Sequence, residues 1–115
     1  GQVAYDREYN GLALDKAEGD RIAGKLGGKR VLFSANHGVT VVGPDVSTAF
    51  NDLYYLERAC MNQAMALSTG GKLKKTPRKV AEATFKQLEG ERGNCQKHFA
   101  ALQRMLKRAG ADFDR

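Results

Sequence analysis

The chain has 115 residues, of which 28% are charged and 42% apolar, and carries a formal net charge of +6. That is enough material for one globular domain, expected over residues 1–115, with a modest core. No apolar run approaches the ~20 residues of a membrane span, and the start, GQVAYDREYNG, lacks a basic stretch followed by an apolar one, so a cytoplasmic protein without a secretory leader is expected.

In chain order, Val3 to Tyr9 reads as a weak strand or extended segment. Asp15 then caps a helix, with Glu18 at capping-box spacing and Ile22, Ala23 and Leu26 as a short apolar face. Gly27 and Gly28 end it. RVLFSA (Arg30–Ala35) and GVTVVG (Gly38–Gly43) follow as two β-rich runs. Both are nearly continuous in apolar residues, which suits strands covered on both faces. Asn36-His37-Gly38 joins them through a tight turn or a bulged bend, at which Gly38 permits a positive φ.

Pro44-Asp45 opens the strongest helix. Its residues Ala49, Phe50, Leu53, Leu56, Ala59, Cys60, Ala64 and Leu67 form one apolar stripe, and Gly70-Gly71 stops it. Thr76-Pro77 starts a last helix, with threonine as cap and proline in the first helical position. Gly90 and Gly93 weaken its middle, where a kink or break is expected. Cys60 and Cys95 lack a CxxC spacing and read as reduced core cysteines. Tyr54 and Tyr55 are expected to point in different directions on their helix, Glu57 and Arg58 to face solvent or an interface, and His98 to sit on a helix face.

Charge is uneven. Lys72 to Arg108 holds eleven Lys/Arg and three Glu, a local +8 that leaves −2 for the remainder. A solvated basic face is the ordinary reading, because aromatic interleaving and nucleic-acid module signatures are lacking; nucleic-acid binding ranks third among the functions considered.

The stretches LALDKAEGDRIAGKLGGKRVLF, ANHGVTVVGPDVSTAFNDLYYLERA and FAALQRMLKRAGADF, spread from roughly Tyr5 to Phe113, resemble the C-terminal half of the class II aldolase/adducin family. NHG alone is a weak motif, whereas strand–NHG–strand–helix–YLER is specific. The resemblance implies an α/β fold, namely a partial class II aldolase-like layer with a short β-hairpin or sheet flanked by three helices. Two strands leave open edges, so the sheet is expected to be completed by self-association or by a first half lying outside this chain.

Family aldolases and epimerases hold a divalent metal, zinc, with three histidines. Two come from an H-x-H motif and the third from NHG, which maps onto His37. The resemblance therefore implies His37 as a metal ligand, with Asn36 and Gly38 shaping the substrate side of the turn. It also implies a lyase acting on small (phospho)sugars or hydroxy-carbonyl compounds. The chain contains no H-x-H, its other histidine being His98, and the family's acid/base glutamate belongs to the first half. It is accordingly expected to be inactive alone, with no catalytic residue of its own. The second reading is a non-catalytic adducin-like interaction and oligomerisation module.

Overall fold

The computed structural model describes residues 1–8 and 10–113, so the part of the first expected strand that falls on Tyr9 lies outside the described residues. The chain forms two compact units, Gly1–Pro44 and Asp45–Arg115.

The first unit is built on β1 (Val3–Asp6), α1 (Lys16–Leu26), β2 (Val31–Ser34) and β3 (Gly38–Val41). The short opening segment is a true strand. It pairs parallel to β2 in the register Val3↔Val31 to Asp6↔Ser34. Parallel strands need a crossover, and α1 supplies it. β2 then pairs antiparallel with β3, giving a three-stranded sheet in the order β1-β2-β3, where two strands were expected. Leu32, in the central strand, is fully buried and lies beside Val31 and Ala4 in the small core. The apolar runs mislead at β3, whose residues Gly38 to Thr40 are exposed: β3 is an edge strand with no covering layer among the described residues.

Asp15 caps α1 as expected, its carboxylate accepting from the Glu18 N–H at 2.8 Å. The capping box closes only on that side. The Glu18 carboxylate turns to Arg21 instead, accepting from Nε at 2.8 Å and Nη2 at 2.7 Å. Arg21 also reaches Asp6 at 2.8 Å, and Asp6 accepts the Glu8 N–H at 3.1 Å. Asp6 is 2% exposed, so β1 places a carboxylate in the interior and α1 brings the cation that neutralises it. Gly27 ends the helix at φ 55°, a conformation glycine takes without a Cβ penalty.

The second unit contains α2 (Val46–Ser68), α3 (Arg78–Gly90) and α4 (Gly93–Arg108). The expected last helix breaks between Gly90 and Gly93, so four helices replace three. Asp45 caps α2, accepting from the Thr48 N–H at 2.8 Å. At the start of α3 the cap position belongs to Pro77, and Thr76 makes no capping bond. Pro77 is itself extended at ψ 142°, so the helix begins at Arg78, one residue later than expected, and Thr76 falls one position before the cap.

α2 and α4 pack through Phe50 and Phe99, whose rings meet edge-on at 5.7 Å. Arg92 fastens the pair, reaching Asp52 at 2.6 Å and Glu89 at 2.7 Å. Cys95 is buried there as expected; Cys60 is exposed, contrary to expectation, on a part of the α2 stripe that no helix among the described residues covers. α3 packs against no other element among the described residues and leaves Val80, Phe85 and Leu88 in the open.

Hydrogen bonds from Arg21 hold the carboxyls of Asp6 and Glu18 below their ordinary values of 3.8 and 4.5. Groups with depressed folded-state values contribute stability above the unfolded range and lose it as pH falls through the folded values. Urea denaturation of the Arg21→Met variant, followed from neutral pH to about pH 2, should therefore lose less stability on acidification than the parent does. The variant should already start lower at neutral pH, since the buried Asp6 carboxylate is left unpaired.

Candidate functional site

The turn between β2 and β3 carries the residues that the sequence singles out. Ser34 and Gly38 form the last pair of the hairpin, leaving Ala35-Asn36-His37 as the connection. The His37 N–H donates to the Ser34 carbonyl at 3.2 Å, closing a four-residue turn. Asn36 stands at its third position with φ 56°. A positive φ there is the mark of a type II turn, and asparagine takes that conformation more readily than other residues bearing a Cβ. Gly38 follows at φ 151°, a conformation that side-chain-bearing residues rarely adopt. The turn is anchored from behind, where the Ala35 N–H donates to the Asp6 carbonyl at 2.9 Å. Asn36 and Gly38 thus supply the backbone freedom, and His37 is exposed between them.

Whether zinc fits depends on the donors that converge. Among the described residues no three His, Cys, Asp or Glu side chains cluster in a way that could hold a metal ion. Zinc sites use three or four protein ligands, and His37 offers a single imidazole. The described residues do not by themselves fit the metal. Cys95 is no substitute: burial, with a smaller contribution from the nearby Asp52 charge, pushes its thiol up and away from the thiolate form that metals bind.

A second cluster lies on α2 and α4. His98 Nδ1 sits 3.0 Å from Asn51 Oδ1. The His98 ring meets Tyr54 at 5.1 Å and Tyr55 at 6.2 Å, and the two tyrosine rings meet each other at 5.3 Å. The tyrosines therefore share one neighbour, contrary to the expectation that they diverge. Arg58 lies 5.3 Å above the Tyr54 ring and 3.7 Å from Glu57. The spacing Asn51, Tyr54, Tyr55, Arg58 runs i, i+3, i+4, i+7, the neighbour pattern of one helix face, and this was the signal available in the sequence. No comparable signal marks the buried Asp6–Arg21 pair, whose members meet only after the crossover folds.

An α/β unit with a crossover helix, followed by a hairpin whose turn presents an exposed histidine between Asn and Gly, defines the class of this protein. Residues 1–64 match the family model described as the Class II Aldolase and Adducin N-terminal domain, and the chain belongs to the class II aldolase and adducin family. A class 2 aldolase-type protein of Caulobacter vibrioides is 44% identical over 69 residues, covering 60% of this chain and 26% of the relative. Human beta-adducin is 31% identical over an alignment covering 96% of this chain and 17% of that protein. The crystal structure of an aldolase II superfamily protein from Pseudomonas syringae superposes with a TM-score of 0.80 at 37% identity, covering 98% of this chain and 46% of the other. The chain thus spans less than half the length of each of these relatives.

The turn geometry predicts how substitutions behave. Asn36→Gly should change thermal stability little, because glycine adopts positive φ freely. Asn36→Val should cost about 1–2 kcal/mol, measured by urea denaturation, because a β-branched side chain clashes in the left-handed region.

Proposed function

We propose that this chain is the part of a class II aldolase-type domain that contributes His37 as one zinc ligand, with Asn36 and Gly38 forming the substrate side of the turn. The other ligands and the acid/base group would come from polypeptide outside these 115 residues, so the chain alone is inactive. The reaction class is that of a lyase or epimerase acting on small hydroxy-carbonyl compounds or sugar phosphates.

The observation that carries this reading is the turn itself. A positive-φ asparagine and a positive-φ glycine bracket an exposed imidazole at the end of a buried strand. The bracketing residues shape the hairpin, and the exposed imidazole between them is the group of the turn whose chemistry suits a metal. What the chain supplies is placement: β2 is held on one side by β1 and on the other by β3, so the turn leaves a paired pair of strands. The outer edges of β1 and β3 pair with no strand among the described residues. In this reading they are completed by the companion polypeptide or by a second copy, giving an oligomer.

Beta-adducin, aligned over 96% of the chain, favours a second reading, a non-catalytic interaction module. One experiment separates the two. The chain is mixed with a polypeptide that supplies the family's H-x-H half, and zinc is measured in the purified complex. The enzymatic reading expects stoichiometric zinc that is lost in the His37→Ala complex while the complex itself persists. A complex that forms without zinc, and whose assembly is indifferent to His37→Ala, supports the interaction module.

No described helix is long and apolar enough to cross a membrane.

A further inference from the structure

We infer that the groove at the carboxyl ends of β1 and β2 binds a small aromatic carboxylate, with its ring stacked on Tyr5 and its carboxylate paired with Arg7. The groove has a volume of about 310 Å³ and is lined by Tyr5, Asp6, Arg7, Phe33, Ser34 and Ala35. That volume suits a single-ring ligand. It lies beyond the carboxyl ends of two adjacent parallel strands, the end of an α/β sheet at which ligands bind.

Three observations point to the ligand's chemistry. Tyr5 and Phe33 are register partners, and their rings stack 5.7 Å apart at 15°. Tyr5 is nonetheless 69% exposed, so this two-ring platform keeps much of its surface open to a third planar ring.

The charges around the groove are unequal in their commitments. Asp6 is held by Arg21, and Glu8 lies 3.5 Å from both Arg21 and Lys25. Arg7 has no hydrogen bond, ion pair or ring contact with any described residue. A planar guanidinium with no partner among the described residues, beside an aromatic platform, matches a carboxylate in a two-pronged pairing.

The remaining lining selects against a hydroxyl-rich ligand. Apart from Arg7 its side chains offer the Tyr5 and Ser34 hydroxyls and the Asp6 carboxylate, which already accepts from Glu8 and Arg21, too few partners for a ligand with a hydroxyl on each carbon. Each sugar hydroxyl desolvated here without a partner would cost about 1–3 kcal/mol, whereas a flat ring places apolar surface on apolar surface. This inference does not depend on the role assigned to His37.

The test titrates 3-phenylpropionate into the full chain by NMR, with 3-cyclohexylpropionate and glucose 6-phosphate as parallel probes. Phenylpropionate should bind, with shifts concentrated at the amides of Tyr5–Arg7 and Phe33–Ala35. Cyclohexylpropionate should bind about tenfold more weakly, having lost the aromatic stacking. Arg7→Gln should weaken binding by about tenfold, the size of one charge-assisted hydrogen bond. Tyr5→Phe should retain binding and Tyr5→Leu should lose it, each variant being checked for an unchanged circular dichroism spectrum. Failure of phenylpropionate to shift these amides would overturn the inference. So would equal binding of the cyclohexyl analogue, indifference to Arg7→Gln in a folded variant, or tighter binding of the sugar phosphate.

Discussion

The parallel pairing of β1 with β2 is the constraint on which the first unit depends. Two parallel neighbours cannot be joined by a hairpin, so the chain must leave the sheet and return, and α1 is that return. Closing the crossover brings Arg21 onto Asp6. A buried carboxylate without a cation would be costly, and Arg21 offsets that cost. Once β1 is in place, its last carbonyl takes the Ala35 N–H and steadies the start of the turn that carries His37. The same pairing sets Tyr5 beside Phe33 and creates the groove at the strand ends.

The second unit follows a different rule. Its helices form because their sequences are periodic and capped, but only α2 and α4 find each other. Phe50, Phe99 and His98 fill that contact, and Arg92 ties its polar rim. Beyond it, Leu53, Met65, Leu67, Val80, Leu88 and Met105 are exposed. Apolar surface left open on helices that carry a regular apolar stripe marks them as surfaces for interaction.

Local signals were readable wherever one residue type has one backbone use. Asp15 and Asp45 as caps, Gly27 as a helix stop and the break at Gly90–Gly93 all appeared where side-chain chemistry put them. The turn was readable for the same reason, since asparagine and glycine tolerate the φ values it needs. Apolar character misleads at β3, which is an exposed edge strand, and at Cys60, which is exposed, and helix direction misleads at Tyr54 and Tyr55, whose rings meet. Each depends on what lies opposite the residue, and apolar character alone says nothing of that.

The sequence by itself determined the order and ends of most elements, the positive-φ turn around His37 and the family to which the chain belongs, because caps, glycines and periodicity act within a few residues. Only the tertiary structure decided that the opening segment is a third strand, that Asp6 is buried against Arg21, that Tyr54 and Tyr55 converge on His98, and that Arg7 has no partner among the described residues beside an aromatic groove. These facts concern pairs separated by up to tens of residues, and such pairs are selected by the closing of a crossover and the packing of helices.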